Sequence, residues 1–353
     1  MNPADPLELT LFLFWCTVLL GAPLVPLWWR WADLRQGLAA VQEAREPSRL
    51  GERVGELRRE MKRLLSSGSA AIGQRPYESL DEALNRGLRP QARGQSRPVV
   101  VPHAAQVQQG IACQQPVLAA HDLQLREGSE LALVMSDGHL VLGPRSRIRG
   151  WAHADKTLLL GESSVAARQL SSGRGIALAW GCCFERMQAP VIVLGRPHAR
   201  RRSDAQAPDA VLPVQPALPR ATPWGANGWR IDGDCVIEKG HHFTGSLVVT
   251  GMLSIGAGAL VEGDVKARRG VVIGAHAVVR GAVFCERGIR IFDEADIAGP
   301  VVGGDLLQLG DGVRLGSLAA PTSVNADAIL AGDGVIAHGT VWAARAGLVW
   351  SPT

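Results

Sequence analysis

The sequence predicts an all-β fold, a parallel β-helix (a solenoid with rungs of ~18 residues), preceded by a transmembrane helix and short amphipathic helices. Three observations carry this reading. Residues 253–270 (LSIGAGALVEGDVKARRG) and 271–288 (VVIGAHAVVRGAVFCERG) are near copies of equal length with no gap between them. Glycine is abundant (41 residues) whereas Phe (6) and Tyr (1) are scarce, a balance that suits turn-dense β-structure. Near the N-terminus an uncharged apolar run of about 21 residues is long enough to cross a hydrocarbon core of roughly 30 Å.

Five regions follow in order: an N-terminal anchor (1–31), a juxtamembrane helical and linker region (32–97), a first β-helix segment (98–195), a Pro- and Arg-rich linker or loop (196–228) and a second β-helix segment (229–353). The anchor rests on residues 7–29, LELTLFLFWCTVLLGAPLVPLWW, which carry no charge between Glu8 and Arg30. Trp28, Trp29 and Trp31, with Arg30 among them, mark a membrane interface. Pro23 and Pro26 kink such a helix without stopping it. A signal peptide would begin with basic residues, and this chain begins with Asp5 and Glu8. A buried core helix is the other alternative, against which stand the length of the run and its Trp cap. Arg30 and Arg35 follow the run and no Lys or Arg precedes it, so the positive-inside bias places the N-terminus outside and the rest of this single-pass inner-membrane protein in the cytoplasm.

Residues 32–66 read as helix. Leu50, Val54, Leu57, Met61 and Leu64 form a heptad-like stripe with Arg58, Arg59, Lys62 and Arg63 beside it. The stripe is either one amphipathic helix packing on its own protein, or a short coiled coil or basic helix near anionic headgroups. Pro47 and the Ser66–Ser69 run SSGS punctuate the region. A short helix is expected near residues 77–88, and residues 89–98 read as loop.

The repeat is clearest in five windows that start at Cys235, Leu253, Val271, Ile289 and Leu307. The third column reads Ile237, Ile255, Ile273, Ile291, Leu309. The ninth reads Phe243, Val261, Val279, Ile297, Leu315, and the thirteenth Leu247, Val265, Val283, Val301, Ala319. Between the last two runs a Gly column, Gly245, Gly263, Gly281 and Gly299, which Ser317 breaks. Apolar residues two apart describe strands with one face buried. Three corners per window would let each strand pair with its counterpart in the next window, so that like residues stack roughly 4.8 Å apart. Residues 332–347 resemble those from Gly274, displaced by three windows plus four residues, which places a small insertion near residues 321–327. Leu123, Leu140 and Leu158 open similar windows in the first segment, with a looser match from Val99.

Residues suited to chemistry are sparse. His241, His242, His276 and His338 lie in the windows, and no carboxylate recurs near them at a fixed offset to orient one as a general base. Glu262, Asp264, Glu286, Asp293 and Asp311 fall at expected turns or outward faces. Cys16, Cys113, Cys182, Cys183, Cys235 and Cys285 form no CxxC pair and read as small buried hydrophobes. No catalytic, metal or cofactor site is expected. A net charge of +4 is no nucleic-acid signature.

The repeated IGxxAxVxGxV pattern resembles the bactofilins, bacterial polymer-forming cytoskeletal proteins. The likeness covers residues 235–319 well and 123–195 loosely. It implies a right-handed β-helix that joins end to end without bound nucleotide, and a membrane-associated scaffold in cell shape or envelope growth. Its partners would be copies of itself, the bilayer of the bacterial inner membrane and envelope or cell-shape proteins, with no nucleic acid. The six-residue rhythm of Ile255, Val261, Ala267, Ile273 and Val279 is also similar to the hexapeptide acyltransferases, which would imply a left-handed helix, a trimer and a catalytic His. The scaffold reading is preferred because a solenoid's last rung exposes unpaired backbone groups. The chain ends GLVWSPT, so Leu348, Val349 and Trp350 are expected at that rung, either as a head-to-tail self-association surface or as a cap on the core.

Overall fold

The computed structural model describes residues 48–67, 76–86, 97–196, 218, 221–225 and 227–350. The chain divides into two units, Met1–Glu56 and Leu57–Thr353. The first is described only as the beginning of helix α1 (Ser48–Ser67), and the second holds every described strand.

The second unit is a β-solenoid of about 13 turns with rungs of about 18 residues. Each coil has three short strands separated by corners, as in Ser246–Val249, Met252–Ile255 and Leu260–Glu262. Within the coils of each segment, a strand pairs in parallel with its counterpart one coil on. Cys235 faces Leu253, Leu253 faces Val271, Val271 faces Ile289 and Ile289 faces Leu307. The columns read from the sequence are therefore spatial stacks, and their side chains fill one continuous core. The Gly column marks a corner where coils touch: a Cβ on Gly281 would overlap the carbonyl oxygen of Gly263, so only glycine fits. Aspartate ties the same corner, because Asp264 Oδ1 accepts the N–H of Ala282 at 2.7 Å, one coil on, and Asp293 ties another by accepting the Asp311 N–H.

The insertion lies a few residues earlier than the sequence places it. Asp296 pairs with Arg314 at the regular step, but Val301 pairs with Val324 rather than Ala319. The extra residues form a turn before the strand Thr322–Ala331, closed by a hydrogen bond from Ser317 N–H to the Ala320 carbonyl (3.0 Å).

Two helices adjoin the first segment. Helix α2 (Leu80–Arg86) begins with a capping box: Ser79 Oγ accepts the Glu82 N–H and Glu82 Oε2 accepts the Ser79 N–H. Its Ala83 is fully buried in the core beside the first coil, and Gln109 Nε2 donates to the Leu84 carbonyl at its far end. On α1, Met61 and Leu64 are buried. So are Val100, Leu118 and Met135, which point away from the solenoid core yet lie in one register column. Arg58 holds the helix by ion pairs to Asp137 and Asp155 on the corners of successive coils. The part of the stripe that holds Met61 and Leu64 is thus the face of an amphipathic helix packing on its own protein.

The expected membrane helix requires correction. Among the described residues no helix is long and apolar enough to cross a membrane. α1 is apolar along one stripe only, and the rest of its surface carries Arg and Glu. Residues 7–29, with the interface expected at Trp28, Trp29, Arg30 and Trp31, lie outside the described residues. Among the described residues the fold is a β-solenoid with two helices, and the structure does not support a single-pass inner-membrane location.

The two segments form one stack, joined in a way the repeat does not announce. The last strand of the first segment, Cys183–Leu194, pairs antiparallel with the last strand of the second, Val335–Val349. The coils of each segment therefore advance toward the other and meet at their C-terminal coils. Phe184 faces Gly347 across this seam and is buried, and a Cβ on Gly347 would overlap the Phe184 ring. Asp293 Oδ1 accepts the Asp311 N–H, Asp311 Oδ1 the Asp333 N–H, and Asp333 Oδ1 the Trp180 Nε1–H of the opposite segment at 2.8 Å. Gly347→Val is expected to destabilise the fold by about 1–3 kcal/mol through overpacking. Adding Phe184→Leu should restore part of that loss in urea titrations, and strictly additive losses would refute the contact.

Candidate functional site

The terminal residues sit elsewhere than expected. Leu348 faces Cys183, the Val349 carbonyl accepts the Gly181 N–H (2.9 Å), and the Val349 N–H donates to the Cys182 carbonyl (3.0 Å). The backbone edge that the sequence leaves open to a second copy is filled by the first segment. Trp350 neither caps the core nor lies at an open end, since its side chain is 57 % exposed beside the seam. The open edges lie at the outer coils. Among the described strands, Cys235–Ile237 and His242–Thr244 have a neighbour on one side only, as does Ala105–Val107 of the first segment. The hairpin Ala221–Trp224 with Gly228–Ile231 covers one face of the second segment's first coil and leaves those two strands unpaired on their outer side. Val236 projects from this edge.

Coil stacking also brings carboxylates to two of the histidines, His276 and His242, which a search along the chain misses. His276 Nδ1 lies 3.6 Å from Glu294, one coil on, and His241 Nε2 lies 3.9 Å from Glu238. His242 Nε2 lies 3.2 Å from Glu262, within ion-pair range but without hydrogen-bond alignment. His338 Nδ1 lies 2.9 Å from the Pro190 carbonyl at the seam. The two described cavities are lined elsewhere. One, of about 300 Å³, lies among Gln106, Gln108, Gln124 and Arg126, and one of about 240 Å³ lies beside Leu159, Trp180 and Arg196.

A buried polar cluster around His153 was not singled out by the sequence. His153 Nδ1 is 2.8 Å from Ser171 Oγ, and its Nε2 is 2.9 Å from Asp155 Oδ1. Its ring stacks on Trp151 with centroids 5.6 Å apart. Ser, His and Asp in this order have the connectivity of a nucleophilic relay. Yet Ser171 is 2 % exposed, and Asp155 is shared with Arg58 of α1. The cluster is a clasp that fixes α1 to the coil, and no open nucleophile faces solvent there. His153 and Ser171 stand 18 residues apart, in register on neighbouring strands, so the signal was the repeat period applied to polar as well as apolar residues.

The cysteines are likewise structural. Cys113, Cys182, Cys235 and Cys285 are buried, and burial pushes the Cys182 thiol up to about 11, far from the reactive range. Cys16 lies outside the described residues. No protein-family model, curated protein or solved structure matches the chain.

Burial holds the His153 imidazole below its ordinary value, and Arg58 adds to this, while Asp155 and Asp137 oppose it. Below the ordinary imidazole value of about 6.5 the unfolded chain binds a proton that folded His153 does not. Stability should accordingly fall as pH drops through that value and level off below the folded pKa. His153→Gln is expected to flatten this acid-side slope in urea titrations, and an unchanged slope would assign it to another group.

Proposed function

We propose that the chain is a non-enzymatic, bactofilin-like scaffold that joins copies of itself at its outer coils and presents its faces to other proteins. The observation that supports this most is the seam. Within one chain, two coil ends of this solenoid already meet by antiparallel strand pairing and share a core. The same geometry is available to the edge formed by Cys235–Ile237 and His242–Thr244, whose backbone groups are a template for another strand. Two copies meeting there by the same antiparallel rule would bury Val236, which is 62 % exposed.

Sedimentation velocity tests the reading. The wild-type chain should sediment as a multimer. Val236→Lys with Thr244→Lys should reduce it to single chains with an unchanged β-rich circular-dichroism spectrum. Trp350→Glu should leave association intact, because that edge is paired within the chain. A multimer indifferent to the lysines, or a wild type that sediments only as single chains, would refute the proposal.

A further inference from the structure

One corner of the second segment breaks the rules that its neighbours obey. Gly270 pairs with Gly288, so the preceding residues, Arg269 and Arg287, occupy equivalent corner positions on adjacent coils roughly 4.8 Å apart. Like charges so placed repel. Among the described residues neither is found in an ion pair, and the nearby Glu286 is taken by Arg268 at 3.4 Å. Three further features gather at this corner. Lys266 Nζ lies over the Phe284 ring at 4.9 Å. Arg290 lies on the adjoining strand, with its guanidinium over the Phe292 ring at 4.7 Å. The Met252 side chain lies against Gly270. Phe284 is 37 % exposed and Met252 is 47 % exposed. Among the described residues the carboxylates at this corner are Glu286 and, one coil on, Asp305, beside Arg268, Arg269 and Arg287 at the corner itself and Lys266 on the strand that leads into it.

We propose that this corner is a docking surface for an acidic, partly apolar segment of a partner protein. Its composition of Arg with exposed Phe and Met is that of protein interfaces, where Lys is depleted. Guanidinium groups can take carboxylates in bidentate fashion, and Phe284 and Met252 offer apolar contact on either side of them. The patch spans about 10 Å along the stack, by the coil spacing. It is bounded by Asp232 and Asp234 on one side and by Asp305 and Asp327 on the other. Those carboxylates confine an anionic partner to a short segment, whereas a nucleic acid or a lipid surface would favour an extended basic stripe. Neither described cavity lies here, so the surface suits an extended chain rather than a small molecule.

This inference names a partner chemistry for the scaffold reading and rests on it only for the claim that other proteins bind. Self-association is read at a different edge, so either can fail alone. The test titrates the full chain into a fluorescein-labelled peptide of alternating Glu and Leu, with a Gln-for-Glu peptide as control. Wild-type protein should bind the Glu peptide and not the control. Arg269→Gln with Arg287→Gln should weaken binding at least about tenfold, while the melting temperature stays level or rises as the repulsion is relieved. Phe284→Ser should weaken binding with little change in its salt dependence. The proposal is overturned if the Glu peptide does not bind, if it binds no better than the control, or if the double variant binds it equally well. Tighter Arg269- and Arg287-dependent binding to anionic phospholipid vesicles or to a single-stranded oligonucleotide would also overturn it.

Discussion

Everything in this molecule depends on the parallel pairing of each short strand with its counterpart one coil away. A strand such as Cys235–Ile237 has three residues and cannot persist alone. It gains hydrogen-bond partners only if the next coil arrives in register, with Leu253 beside Cys235 and Ile255 beside Ile237. That demand fixes the rung length, because a slipped residue would turn the inward columns toward solvent. It also makes the corners strict. Coils spaced as closely as strands leave no room for a Cβ at Gly281, and each turn needs a group to satisfy the next coil's N–H, as Asp264 does for Ala282. Where residues must be added, as between Leu315 and Thr322, they are extruded as an exposed turn and the pairing resumes beyond it.

A stack built this way has an end problem, and the chain handles its ends differently. The first coil of the first segment is covered by α2 through Ala83. The first coil of the second segment begins with a hairpin that covers one face. The two C-terminal coils cover each other. Coils that advance toward one another can join only by antiparallel pairing, which is what Cys183–Leu194 and Val335–Val349 do. The junction is more than a ladder of backbone bonds. The Phe184 ring occupies the space that Gly347 leaves, and the aspartate ladder of the second segment ends on Trp180 of the first. Inward side chains from both segments therefore share one core.

The repeat was legible because identical environments recur at a fixed step. Ile237, Ile255, Ile273, Ile291 and Leu309 meet the same neighbours above and below, so the same residue types suit them. The first segment was harder to read for a physical reason. A buried inner-corner column there runs Ser129, Ser146, Ser164 and then Cys182, where the second segment has Ala259, Ala277 and Ala295. A serine accepted there by backbone hydrogen bonds, as Ser164 Oγ accepts the Ser146 N–H, looks polar in sequence although it is inside. The seam was not legible at all. Phe184 and Gly347 meet once, in the opposite strand sense, and leave no period to detect. The clasp of Arg58, Asp137, Asp155 and His153 was hidden similarly, since a helix residue finds two coil corners that no local pattern links to it. His276 and Glu294 had the opposite fate: their offset in the chain is the repeat itself, and only stacking turns it into proximity.

Because the inward positions are dictated by stacking, the outward positions are where the sequence is free to differ from coil to coil. The outward column through Lys266, Phe284, Val302 and Asn325 continues across the seam to Trp342, Arg186, Gln169 and Trp151. One uninterrupted sheet face thus passes from one segment to the other, although the chain reverses its direction of advance. Along that face the fold asks only that neighbours tolerate one another. Arg186 over Trp342 and Lys266 over Phe284 meet that condition by cation–π contact. Arg269 beside Arg287 does not, and the adjacent Glu286 goes to Arg268 instead of relieving them. A repeat that can place Gly, Thr or Asp at the same corner, as it does at Gly251, Thr250 and Asp305, has no folding reason to stack two arginines there. The stacking rule thus separates what the fold needs from what it merely carries, and this pair falls on the second side.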